Sequence, residues 1–125
     1  MSIDARTYVD QISSMGKEEL DGLPIGVITL DRNATVMRYN RTESELARKN
    51  AHAVIGTNFF VDVAPCTAVP EFEGRFRDLA AKPFGVVNFD YRFKFPWGDK
   101  HVHVTFVKQR DKEHIDVLVV WTDQR

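Results

Sequence analysis

An α+β fold, a five-stranded antiparallel sheet with helices gathered on one face, is predicted by three features of the sequence. Two short β-branched runs near the N-terminus are joined by turn chemistry. The middle of the chain carries helical periodicity broken by Gly and Pro. The last third alternates aromatic and polar residues. At 125 residues the chain reads as a single domain spanning 1–125, with enough length to bury roughly two thirds of its unfolded surface in one core. A hydrophobic content of 43% beside 28% charged residues is ordinary for a soluble globular protein.

Charge narrows the possible partners. The 17 basic and 18 acidic residues interleave to a net charge of -1, which leaves no electrostatic footprint for nucleic acid or an anionic membrane. No apolar run approaches the ~20 residues of a membrane span, and Met1 to Arg6 lacks the basic and then apolar layout of a signal peptide. The expected location is the cytoplasm, where the single thiol, Cys66, stays reduced.

In chain order, Tyr8, Val9, Ile12 and Met15 have helical spacing, with Asp4 as N-cap and Gly16 as stop. Lys17 to Leu20 forms a second short turn that ends at Asp21-Gly22. Ile25 to Leu30 and Thr35 to Tyr39 pair as a β-hairpin around the turn residues Asp31 to Ala34. Asn40 followed by Glu43 has the form of a capping box and opens short helices that run to Ala53, where Ile55-Gly56 breaks them. After Pro70, the positions Phe72, Phe76, Leu79 and Ala80 trace an amphipathic helix ended by Lys82-Pro83. Val87, Phe89, Tyr91, Phe93 and Phe95 then alternate with polar residues along a strand with one aromatic and one wet face. Trp97 to Lys100 reads as a turn, and His101 to Lys108 and Ile115 to Thr122 as the last two strands.

Motif by motif, the chemistry is sparse. His101 and His103 share a strand face and could ligate a metal, but no third ligand is evident and solvent-facing histidines explain them equally. Gly22, Gly26 and Gly56 do not fall into a phosphate-binding fingerprint, and no Ser-His-Asp or paired-carboxylate constellation assembles. An enzyme is not indicated. Tyr91, Phe93 and Phe95 are core residues or the wall of a pocket for a flat ring. Cys66 has no second cysteine for a disulfide or a metal site, so it is a packing residue or a reactive one. Glu43, one helical turn beyond Tyr39, is either an ionised cap or a desolvated acid with a raised pKa.

Several segments resemble the photoactive yellow protein family of PAS-domain blue-light photoreceptors. They are Leu20-Asp21-Gly22-Leu23, Arg38-Tyr39-Asn40 with Glu43, Val54-Ile55-Gly56, Asn58-Phe59-Phe60, Asp62-Val63-Ala64-Pro65-Cys66-Thr67 and Pro70-Glu71-Phe72. The resemblance runs from about Leu20 to the strand around Phe93. It implies a PAS fold, with residues 1–22 as an N-terminal helical cap and 23–125 as the core. It also implies p-coumaric acid held on Cys66 as a thioester, with Tyr39 and protonated Glu43 hydrogen-bonding the buried phenolate. Light would isomerise the chromophore, Glu43 would pass on its proton, and the new buried charge would loosen the cap.

The shell around those residues departs from the family pattern. Ala47 stands where a supporting threonine is usual, Lys49 where an arginine lid is usual, Phe95 for a rim tyrosine and Trp97 for a methionine, while Tyr91 and Phe93 fit the aromatic positions. An altered absorption maximum and a changed dark recovery are expected. The alternative is a PAS-type sensor or interaction module that binds a small ligand non-covalently. The expected partner is a downstream signalling protein reached by contact from a monomer or weak dimer, since no output domain is seen in this sequence.

Overall fold

The structure, a computed structural model, describes residues 8–122. Five strands form one antiparallel sheet in the order β2-β1-β5-β4-β3: β1 (Gly26–Leu30), β2 (Val36–Tyr39), β3 (Gly85–Phe95), β4 (Gly98–Lys108) and β5 (Ile115–Trp121). The alternation in β3 places Phe89, Tyr91, Phe93 and Phe95 on the front face, where they join Val104 and Phe106 of β4 and Val117, Val119 and Trp121 of β5. Among the described residues there are four short helices: α1 (Lys17–Asp21), α2 (Arg41–Ala47), α3 (Ala51–Val54) and α4 (Arg75–Ala80). The last three lie over the front face, together with wide π-helical turns at Phe59–Val63 and Pro70–Gly74.

Phe72 sits at the centre of this layer. It is fully buried, with Phe59, Phe89, Tyr91 and Phe106 ring centroids 5.9, 5.4, 5.2 and 5.3 Å away. The Phe59 ring is stacked on it and the other three meet it edge-to-face, and such pairs add about 0.5–1.5 kcal/mol each beyond area burial. The back face is smaller. Ile12 and Leu20 from the N-terminal segment cover Ile25, Val27, Val107 and Leu118.

Three local expectations change. The helix expected through Tyr8 to Met15 is instead a turn followed by a single 3-10 turn at Ile12–Ser14, and its proposed cap Asp4 lies outside the described residues. The carbonyls of Ile12 and Met15 accept from the Arg38 guanidinium at 3.1 and 2.8 Å, so a side chain of the sheet fastens the end of this segment. The amphipathic stripe after Pro70 divides into the π turn and α4, yet Phe72, Phe76 and Leu79 still point into one core. Trp97 to Lys100 is not one turn: Gly98 already pairs with Phe95, so the reversal is confined to Pro96 and Trp97. The φ of 143° at Gly98 is a conformation that favours glycine.

Candidate functional site

The site begins at the junction of β2 and α2. Asn40, buried, caps α2 by accepting the Glu43 amide at 3.0 Å, and the same oxygen accepts the Val27 amide at 2.9 Å. Its Nδ2 donates to the carbonyls of Leu20 at 2.7 Å and Ile25 at 3.0 Å. One side chain thus ties α1, β1 and α2 together. The capping box is only half formed, because the Asn40 amide already donates to Val27 at 3.0 Å. The Glu43 carboxyl therefore does not turn back to the helix start. It folds inward over Gly26, where a Cβ would lie 2.0 Å from Oε1, and accepts from Trp121 Nε1 at 3.1 Å.

Glu43 is 2% exposed and has one neutral donor. Burial penalises its charged form and raises its pKa to about 7, while the Trp121 bond pulls in the opposite direction. Burial, with the nearby Glu43, likewise pushes the Tyr39 hydroxyl above its ordinary value, so it remains a donor. Of the two states open to Glu43 from spacing, the geometry favours the desolvated acid.

A cavity of about 330 Å³ brings Tyr39, Glu43, Ala47, Lys49, Cys66 and Phe93 together, with Phe59, Asp62, Lys94 and Phe95 also on its wall. Cys66 lies on the 3-10 turn Pro65–Thr67 and is half-buried. Two bonds from β3 fix this turn: Tyr91 Oη donates to the Cys66 carbonyl at 2.5 Å, and the Lys94 amide to Cys66 Sγ at 3.5 Å. Tyr91 therefore supports the cysteine turn rather than lining the cavity, and burial raises its pKa. Trp97 also stands outside the lining. It stacks on Phe95 at 4.8 Å and lies beneath the Arg48 guanidinium at 4.0 Å. A larger groove of about 480 Å³ along the outer side of β2 shares Tyr39 with this cavity but contains neither Cys66 nor Glu43.

The histidine pair assembles no metal centre. His103 bonds Asp90 at 2.9 Å and Asn88 at 3.3 Å, and among the described residues no group of three or more His, Cys, Asp or Glu side chains could hold an ion. Among those residues no helix is long and apolar enough to cross a membrane. Sequence reasoning missed Trp121. Its only signal was a place on the same strand face as Val117 and Val119.

This sheet order, with a cavity between its front face and short helices, defines a PAS domain, and the sequence matches the PAS fold family over residues 14–123. Photoactive yellow protein of Rhodothalassium salexigens is 42% identical over 84 residues, 67% of each chain. That of Cereibacter sphaeroides is 36% identical over 82% of this chain and 83% of its own. The photoactive yellow protein domain of the sensor histidine kinase Ppr from Rhodospirillum centenum superposes with a TM-score of 0.81 at 37% identity, covering 91% of this chain and 97% of that one. The chain belongs to the photoactive yellow protein family of PAS domains.

Proposed function

We propose that the protein is a blue-light photoreceptor in which Cys66 carries p-coumaric acid as a thioester, with Tyr39 and protonated Glu43 as donors to its phenolate. The observation that carries this reading is the convergence of the only thiol and two buried acidic hydroxyl groups on one cavity of about 330 Å³. When bound, the chromophore supplies visible absorption and a double bond that light can isomerise. A phenolate away from water needs such donors around it. Cys66 Sγ takes a backbone amide rather than an imidazole, which suits an attachment point better than a nucleophile with its base.

In the resting state Glu43 holds its proton. With the chromophore bound, passing that proton to its phenolate oxygen after light would leave a carboxylate in a desolvated pocket at a cost of several kcal/mol. Asn40 offers the route outward: it caps the helix that bears Glu43 and donates to Leu20 in the N-terminal segment. Residues 8–22 of the N-terminal segment loosen, and a downstream signalling protein reads the change.

Ala47 supplies no hydroxyl, and Lys49 no planar fork, to this network. Those two residues favour a second reading, a PAS sensor that holds a small ligand non-covalently; native protein with an unmodified Cys66 and a co-purifying ligand would select it. The direct test is reconstitution with activated p-coumaric acid. The wild type should turn yellow, bleach in blue light and recover in the dark, while Cys66→Ala should remain colourless. A wild-type protein that forms no adduct would defeat the photoreceptor reading.

A further inference from the structure

An indole N–H can only donate, so at a carboxyl group it favours the ionised form over the neutral one. The bond from Trp121 Nε1 to Glu43 Oε1 joins two groups that are 6% and 2% exposed. Neither partner is placed by chance. The absence of a Cβ at Gly26 lets the carboxyl lie low against β1, within reach of the ring. Phe95 stacks on the Trp121 indole at 5.5 Å with 13° between planes, Trp97 stacks on Phe95 at 4.8 Å and 7°, and Arg48 closes the column at 4.0 Å from Trp97.

We propose that Trp121 is a positioning residue for Glu43, holding its carboxyl both while it carries the proton and after the proton has gone, with the indole fixed by the column of Phe95, Trp97 and Arg48. The inference rests on Glu43 as the acid of the proposed photoreceptor site, but its test needs no chromophore. In this arrangement Trp97 acts through Phe95 on the acid, at a remove from the cavity. The titratable groups that share the cavity with Glu43 are Tyr39, Lys49, Asp62, Cys66 and Lys94.

Apo-protein labelled with ¹³C at glutamate carboxyl carbons reports the Glu43 titration by NMR, with Glu43→Gln providing the assignment. Trp121→Phe should move the midpoint up by about one pH unit, a tenfold weaker acid. Trp97→Phe should move it less. In the wild type, the Trp121 indole proton resonance should shift at the same midpoint as the Glu43 carboxyl carbon and lose that shift in Glu43→Gln. This measurement leaves Trp121 intact, so it decides the matter even if Trp121→Phe does not fold. An indole resonance indifferent to the Glu43 titration, or an unmoved midpoint in folded Trp121→Phe, overturns the proposal. Failure to form the yellow adduct would instead count against the photoreceptor reading and leave both titrations standing.

Discussion

Asp116 and Glu43 are buried to nearly the same degree, at 1% and 2% exposure, beneath opposite faces of one sheet. Asp116, on the back, accepts from Thr29 Oγ1 at 2.6 Å and from Arg38 Nη2 at 3.0 Å, and His114 Nε2 lies 3.6 Å from its other oxygen. Glu43, on the front, has the neutral indole of Trp121. A buried carboxylate that is bonded to a guanidinium is a fixture of the fold, since removing either partner strands a charge. A buried acid with only a neutral donor is poised between two protonation states. Burial alone therefore does not mark the acid that can change its charge. The placement of the arginine does.

The contrast can be broken most severely at Arg38. Arg38→Ala leaves Asp116 without its cation and should cost about 3–5 kcal/mol in urea unfolding, with far-UV circular dichroism reporting the transition. A loss below about 1 kcal/mol would show that Asp116 needs no cation, and the distinction between the two acids would fall.

The pH dependence sharpens the other side. The folded pKa of Glu43, about 7, is raised above its ordinary value of 4.5, so the folded state binds this proton more tightly than the unfolded chain. The stability linked to that proton is fully present below pH 4.5 and is lost as pH rises through about 7, amounting to about 3 kcal/mol. Glu43→Gln should remove this component, so the stability difference between variant and wild type should drift by that amount between pH 4.5 and 7. A constant difference would contradict a neutral resting acid.

The smallest of the three effects is expected at Gly26→Ala. The new methyl would collide with Oε1 at 2.0 Å and crowd Glu43 Cβ and Cδ at 3.1 Å, at a cost of about 1–3 kcal/mol for overpacking. It should also expel the carboxyl from its place beside Trp121. A thermal melt together with the Glu43 titration measures both consequences, and an unchanged titration would mean that the close approach to β1 is not what holds the acid.

Much of the sheet was legible because its side chains obey the period of two: Val87 to Phe95 alternate in the sequence and alternate between faces in the fold. The core helix residues Phe72, Phe76 and Leu79 were legible for the same kind of reason, although the backbone that carries them is not one continuous helix. The segment before Met15 was not, because Arg38, 26 residues beyond Ile12, holds its carbonyls against the sheet, and no window of neighbouring residues contains that fact. The thiol, Tyr39 and Glu43 were drawn together by the resemblance of their motifs, and spacing alone left Glu43 open between a cap and a desolvated acid. Trp121 was invisible for a related reason. Its bond to Glu43 spans 78 residues and depends on β5 lying beside β1 in register, with Gly26 opposite Val119.

The Arg38 side chain has one further consequence. It grips the carbonyls of Ile12 and Met15 while paired with Asp116. If residues 12–15 lift from the sheet, Arg38 can stay with its carboxylate, and what must be exchanged for water is a pair of hydrogen bonds to neutral carbonyls and the bond between Ser13 and His114. The ionic fastening remains wholly on the side of the seam that does not move. Such a seam can open and reseat many times without ever separating an ion pair, and its closing needs no search for a lost counter-charge.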